Sequence, residues 1–105
     1  PASVFSRSTE CHNQDKVSMG TIAARDAIRV LELTEQVAAA TLLAANQGVW
    51  LRAQANDARP LPPALAAMHA ELAQDFPPVI EDRALEGELR LCLQRIAEQH
   101  WRLHA

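Results

Sequence analysis

The side chains with the widest chemical range cluster near the start of the chain, in the run ECHNQD at residues 10–15. Carboxylate, thiol, imidazole and amide groups stand side by side there, and loops held by rigid helices often carry groups that bind a ligand. The alternative interpretation is a polar surface loop that caps a helix, because Asn and Asp are common in ordinary turns. Composition alone favours the alternative, so a wider pattern must decide between them.

Two other arrangements of side chains have residue types that could carry chemistry. A Cys/His nucleophile needs partners that are distant in sequence and meet in space, whereas Cys11 and His12 are adjacent and point apart. His100 and His104 have the i, i+4 spacing that can bind a metal, but zinc needs three or four ligands and no motif supplies the others. We therefore predict no metal site, a solvated helix end around these two histidines, and a surface position for His69.

Composition limits the class of protein. The chain has 105 residues, of which 49% are hydrophobic, and a net charge of −3, which suits one small domain. Lys and Arg are scattered, whereas nucleic-acid binding usually needs a basic stripe. No apolar run reaches the roughly 20 residues of a membrane span. Two cysteines make no disulfide framework, so we expect a cytoplasmic protein with free thiols that binds neither nucleic acid nor membrane.

The elements that must hold the polar run are predicted to be helices. The chain is rich in Ala and Leu, shows helical spacing and lacks any strand pattern, so an all-α fold is expected, with one long bundle helix followed by two shorter helices. The predicted organisation is a polar loop at residues 1–17 and helices at residues 18–54, 62–76 and 82–103. Ser18 and Asp82 are the predicted caps of the first and last helix, and Pro62 suits a helix start.

The long helix carries a structural consequence of its own. A helix of about 34 residues spans roughly 50 Å, whereas a compact domain of about 100 residues has a radius of gyration near 13 Å. Its second half, residues 37–45, is apolar on every side and should be buried on every side. We therefore predict an oligomeric helix bundle, in which the long helix meets other copies or other parts of a larger chain.

The polar run belongs to a longer pattern, HNQDKVSMGTIAAR at residues 12–25. It resembles the histidine, phenylalanine and tyrosine ammonia-lyase superfamily, in particular the phenylalanine and tyrosine branches. The segment LLAANQGVWLR at residues 42–52 resembles the family's end-of-helix segment, with matching spacing. The resemblance is strong over residues 1–54 and weaker beyond them.

The resemblance implies an activity and a cofactor. Enzymes of this family eliminate ammonia from an aromatic amino acid, using a methylidene-imidazolone that forms from an Ala-Ser-Gly triplet. This chain has no such triplet and no Tyr, so the resemblance implies a C-terminal part of a larger, mainly helical tetrameric enzyme. The expected partners are a small amino-acid substrate, the rest of the enzyme and other subunits, and the isolated chain is expected to be inactive.

The resemblance also implies roles for three residues of the loop. Glu10 matches a carboxylate near the substrate amine and the prosthetic group, and is the expected catalytic residue. Gln14 and Asn13 are the expected substrate-binding residues. Gln14 stands at the side-chain end of the substrate, where histidine-type enzymes have Glu, which favours phenylalanine or tyrosine as the substrate over histidine. Loop stabilisation remains an open alternative for Asn13.

Two further functions stay open at this point. A non-catalytic helical module derived from the family could serve only in oligomerisation. An aminomutase shares the fold and the prosthetic group, and nothing in these residues separates it from a lyase.

Overall fold

The computed structural model describes residues 1–55 and 59–101, and within them the fold is helical with no strand. The α-helices are α1 (Gly20–Ala53), α2 (Pro63–Asp75) and α3 (Glu86–Ala97). Two 3-10 helices, Ala2–Phe5 and Glu10–His12, lie in the segment that was expected to be loop throughout. The predicted all-α fold, with one long helix before two shorter ones, is confirmed.

The first two α-helices start close to their expected positions. Met19 rather than Ser18 stands at the N-cap of α1, since its carbonyl accepts from the Ala23 N–H at 2.9 Å. The Ser18 hydroxyl still accepts a hydrogen bond from the Gly20 N–H at 3.4 Å, so it satisfies one of the amides that a helix start leaves unpaired. In α2, Pro63 is the first helical residue and Pro62 is the N-cap, a place where the missing N–H of proline costs nothing.

The last helix is shorter at both ends than expected. It begins at Glu86, with Leu85 at the N-cap, so Asp82 does not cap it. The guanidinium of Arg83 instead bonds to the Pro77 carbonyl oxygen at 3.2 Å and to the Glu88 carboxylate. These contacts hold the segment before α3 outside the helix.

A backbone motif ends α3 at Ala97. Gln99 has a φ of 53°, its N–H bonds to the Ile96 carbonyl at 3.0 Å, and the His100 N–H bonds to the Arg95 carbonyl at 3.0 Å. This pair of bonds around a left-handed residue is the Schellman motif, which terminates helices. The part of the predicted helix beyond Trp101, including His104, lies outside the described residues.

The chain divides into two units, Pro1–Thr34 and Glu35–Ala105. The second unit contains the buried core, which consists of Ala39, Leu72, Phe76, Cys92 and Trp101. The rings of Phe76 and Trp101 are tilted against each other with centroids 6.2 Å apart, a spacing typical of stabilising aromatic pairs. The Cys92 thiol donates to the Ala39 carbonyl at 3.9 Å, and burial raises the pKa of this thiol, so it stays protonated.

The apolar half of α1 is not buried on every side within this chain. Ala39 and Asn46 are the buried residues of the helix, whereas Val37 is 65% exposed. In the first unit, Ile28, Val30 and Leu31 are each at least 59% exposed. The predicted burial involves other copies or other parts of a larger chain, so it stays a prediction, and within this chain α1 keeps an apolar surface that a neighbour could cover.

Candidate functional site

The three predicted site residues lie in one short, closed turn of the first unit. Glu10 opens a 3-10 helix and Asn13 is its C-cap, where the Asn13 N–H bonds to the Glu10 carbonyl at 3.4 Å. Gln14 follows directly. All three residues are exposed, so their side chains are on the surface of the chain and available for contact.

Thr9 closes this turn onto Gln14. The Gln14 N–H donates to the Thr9 hydroxyl oxygen at 2.8 Å, and the Thr9 N–H donates to the Gln14 carbonyl at 3.1 Å. The Thr9 hydroxyl also donates to that carbonyl at 3.3 Å. We refer to these three bonds as the Thr9–Gln14 clasp. Just outside it, the Val17 N–H bonds to the Arg7 carbonyl at 3.0 Å.

Inside the clasp, two consecutive residues have left-handed backbone conformations. The φ angle is 55° at Cys11 and 52° at His12, a region that non-glycine residues enter at a cost of about 1–3 kcal/mol each. His12 is tied down by a bond between its Nδ1 and the Ser8 hydroxyl at 2.8 Å. Strain of this kind persists only where surrounding contacts enforce it, and it is common at ligand-binding loops.

A second polar network, in the second unit, was not predicted from the sequence. The Asn46 side-chain N–H donates to the Phe76 carbonyl at 3.4 Å, and its Oδ1 lies 2.6 Å from Nδ1 of His69. Since the Asn46 amide oxygen can only accept, His69 donates from Nδ1. The surface position expected for His69 is therefore wrong, because the imidazole is half-buried and bonded.

Gln47 extends this network to the segment between α2 and α3. Its side-chain amide donates to the Val79 carbonyl at 3.0 Å and accepts from the Val79 N–H at 2.9 Å. Asn46 and Gln47 thus satisfy backbone groups of a segment that has no helical partners of its own. The only sequence signal was a pair of amides inside an otherwise apolar stretch of α1. We interpret the pair as structural.

An open cavity of about 540 Å³ lies beside this network in the second unit. Its walls are mainly apolar and include Leu43, Phe76 and Leu89. Its acidic lining residues already have partners in the chain: Glu86 contacts Arg90 and Glu88 contacts Arg83. The cavity therefore offers apolar surface without a polar group positioned for chemistry.

Among residues 1–55 and 59–101, no three His, Cys, Asp or Glu side chains form a group that could hold a metal ion. His100 packs edge-on against Trp101, with ring centroids 5.5 Å apart, and is exposed. None of the helices in this part of the chain is long and apolar enough to cross a membrane.

Comparison with known proteins connects the loop to a family. The family model described as aromatic amino acid lyase matches residues 1–74. Histidine ammonia-lyase of Caenorhabditis elegans is 38% identical over 98 residues, covering 93% of this chain and 14% of that protein. The histidine ammonia-lyase of Natranaerobius thermophilus is 36% identical over 98 residues, covering 93% of this chain and 18% of that protein.

The similarity is greater over a shorter stretch. Histidine ammonia-lyase of Rattus norvegicus is 57% identical over 49 residues, covering 47% of this chain and 8% of that protein. No solved structure matches the chain with significance. The chain spans less than a fifth of the length of these relatives. The resemblance seen in the polar loop thus extends over most of the sequence, and the chain belongs to the aromatic amino acid lyase family.

Proposed function

We propose that this chain forms the substrate-loop region of an ammonia-lyase that releases ammonia from an aromatic amino acid and leaves the unsaturated acid. The observation that carries the proposal is the closed turn of residues 9–14, which holds Glu10, Asn13 and Gln14 together on the surface. Its relatives are named histidine ammonia-lyases, which supports the reaction class. In the proposed enzyme the chain is the C-terminal part.

The reactive group of the proposed enzyme comes from outside this sequence. The chain contains no Ala-Ser-Gly triplet and no Tyr, so its residues cannot form the methylidene-imidazolone or supply tyrosine side chains. That group supplies the electrophile that drives loss of ammonia. The role left to this chain is to bind and orient the substrate, and we call the enzyme in which it does so the assembled lyase.

Each loop residue has a proposed role that suits its chemistry. Glu10, with an exposed carboxylate, acts at the substrate amine, where a negative charge suits an ammonium group. Gln14 lies at the ring end of the substrate. Asn13 binds the substrate beside it. Gln14 has a neutral amide, which suits a phenyl or phenol ring better than an imidazole, so phenylalanine or tyrosine is the proposed substrate.

Histidine is the second candidate substrate, because the relatives that cover most of this chain are named histidine ammonia-lyases. An aminomutase acting on the same amino acids is a further alternative. Formation of the unsaturated acid as the main product favours the lyase, and recovery of a β-amino acid favours the aminomutase.

We expect the chain alone to be inactive and the assembled lyase to be active. The test joins this chain to a family member truncated before its matching loop, so that the Ala-Ser-Gly segment comes from that partner. Ultraviolet absorbance of the unsaturated acid is measured with Phe, Tyr and His. Activity in the chimera with none in the chain supports the proposal. A measurable rate from the chain alone contradicts it, and an inactive but folded chimera favours the pure oligomerisation module.

The proposal includes assembly with other copies in the cytoplasm. The exposed apolar residues of α1, among them Ile28 and Leu31, support self-association, since large apolar patches on a surface mark interaction sites. The cysteines, an exposed Cys11 and a buried Cys92, are unpaired, which suits a reducing compartment.

Light scattering on the isolated chain is expected to give an oligomer, and Leu31→Glu should shift it toward monomer. Burying a leucine is worth about 1.5–3 kcal/mol, so a charge at this site should weaken association by roughly ten- to a hundredfold per copy. Leu31→Met is the matched control, because it keeps an apolar side chain in the same place. If the chain without substitutions is a monomer, or if Leu31→Glu and Leu31→Met give equal masses, assembly through the exposed apolar residues of α1 is contradicted.

A further inference from the structure

Thr9 makes more hydrogen bonds within the loop than any of the proposed site residues. Its N–H, carbonyl and hydroxyl are all engaged: the carbonyl accepts from the His12 N–H at 3.1 Å, and the other two groups bond to Gln14. Thr9 is also half-buried, whereas residues 10–14 are exposed. It is therefore the anchor from which this turn is built.

The clasp fixes the backbone of Gln14 and leaves its side chain available. Both the N–H and the carbonyl of Gln14 are bonded to Thr9, so the Cα of Gln14 has little freedom to move relative to Thr9. Glu10 is the next residue after Thr9, and its carbonyl accepts from the Asn13 N–H. The same few bonds thus set the separation between the backbone positions of Glu10 and Gln14.

The hydroxyl of Thr9 also stabilises the unfavourable backbone conformations inside the turn. Cys11 and His12 sit in left-handed conformations between the two ends of the clasp, and side-chain-bearing residues leave such conformations when nothing enforces them. The bond from the Gln14 N–H to the Thr9 hydroxyl, at 2.8 Å, opposes that relaxation. Without the hydroxyl, Gln14 would lose the acceptor of its N–H and the loop could open.

We propose that Thr9 is a positioning residue for the aromatic substrate. It acts through Gln14 to hold the ring end of the substrate at a fixed distance from Glu10. This inference rests on the proposed role of Gln14 in substrate binding. Thr9 itself need not touch the substrate. We expect its effect to be on KM more than on kcat, because a contact with the ring that is equally strong in the ground state and the transition state changes substrate binding and leaves the chemical step unchanged.

The test compares Thr9→Val with Thr9→Ser in the assembled lyase. Valine keeps the branched shape and removes the hydroxyl, whereas serine keeps the hydroxyl. We expect Thr9→Val to raise KM about tenfold with kcat changed less than about threefold, and Thr9→Ser to stay within about twofold of wild type in both. A purely structural role would lower the amount of folded enzyme without moving KM.

A double-mutant cycle with Gln14→Ala separates this inference from the proposed function. If Thr9 acts through Gln14, adding Thr9→Val to Gln14→Ala should raise KM no further, because interacting residues are not additive. An unchanged KM in Thr9→Val, beside a raised KM in Gln14→Ala, overturns the inference and leaves the proposed function standing. An unchanged KM in Gln14→Ala refutes the proposed role of Gln14, and the inference with it.

A second measurement tests the clasp without any enzyme activity. Amide hydrogen exchange of Gln14 in this chain reports whether its N–H is held by Thr9. We expect exchange to be at least about tenfold faster in Thr9→Val than in Thr9→Ser. Equal exchange rates in the two variants overturn the inference whatever the kinetics show.

Discussion

Replacing Gln14 with Glu in the assembled lyase is expected to shift substrate preference toward histidine by about ten- to a hundredfold in relative kcat/KM. A hydrogen bond to a charged group is worth about 1.5–3 kcal/mol, and an imidazole N–H can donate such a bond to a carboxylate. A phenyl ring cannot donate one. The same carboxylate would face the apolar ring of phenylalanine without a partner, which costs binding free energy.

In this structure, replacing Gln14 with Glu should change the side chain without disturbing the fold of the turn. The bonds that Gln14 forms with Thr9 involve its backbone N–H and carbonyl, and its side chain is exposed. Glu keeps the length of Gln, so the Thr9–Gln14 clasp should survive. Gln14→Met is the matched control, because it has a similar length and neither donates nor accepts a strong hydrogen bond. It should weaken binding of a substrate that bonds to the amide and should not favour histidine.

The measurement is kcat/KM for Phe, Tyr and His with wild type and both variants. It also decides the substrate of the unchanged enzyme, which the Gln14 amide and the names of the relatives assign differently. Relative kcat/KM values that stay the same in Gln14→Glu would remove Gln14 from the specificity role. A wild type that already prefers histidine would show that a neutral amide at this position is compatible with an imidazole substrate.

Features set by local sequence were predictable, and features set by distant contacts were not. The start of α2 follows from Pro62 and Pro63, since the ring of proline suits the first turn of a helix. Before α3, the guanidinium of Arg83 bonds to the Pro77 carbonyl and to the Glu88 carboxylate. The spacing of apolar residues in the sequence does not indicate which acceptors an arginine will bind, so the start of α3 could not be predicted from it. Asp82 has a side chain that suits an N-cap, but α3 begins four residues after it, at Glu86.

The candidate site shows the same division. Its three residues are proposed because the contiguous polar run resembles a family pattern, and their roles stay a prediction. The shape of the turn could not be predicted, because Cys11 and His12 adopt left-handed backbone conformations that are common for glycine and uncommon for residues with a side chain. The role of His69 was missed for a related reason, since its partner Asn46 lies 23 residues away. A buried amide in an apolar helix signals that a partner exists, and says nothing about which residue it is.

Phe76→Ala is expected to lower the free energy of unfolding of the second unit by about 3–5 kcal/mol. Phe76 is 2% exposed and packs against Trp101, which is 6% exposed. Its removal leaves a cavity and takes away an aromatic contact. Small domains have a total stability of about 5–15 kcal/mol, and this unit has few buried side chains. The loss is therefore a large share of what holds α2 and α3 in place.

Circular dichroism during urea unfolding measures the effect, and Phe5→Ala is the matched control, because Phe5 is 56% exposed. The control should change the midpoint little, since its ring has little burial to lose. Phe76→Leu should fall between the two, because leucine refills part of the cavity. Equal midpoints for Phe76→Ala and Phe5→Ala would contradict a core that depends on the buried ring of Phe76. A loss of helical signal in Phe76→Ala before any denaturant is added would mean that the unit folds only with this ring in place.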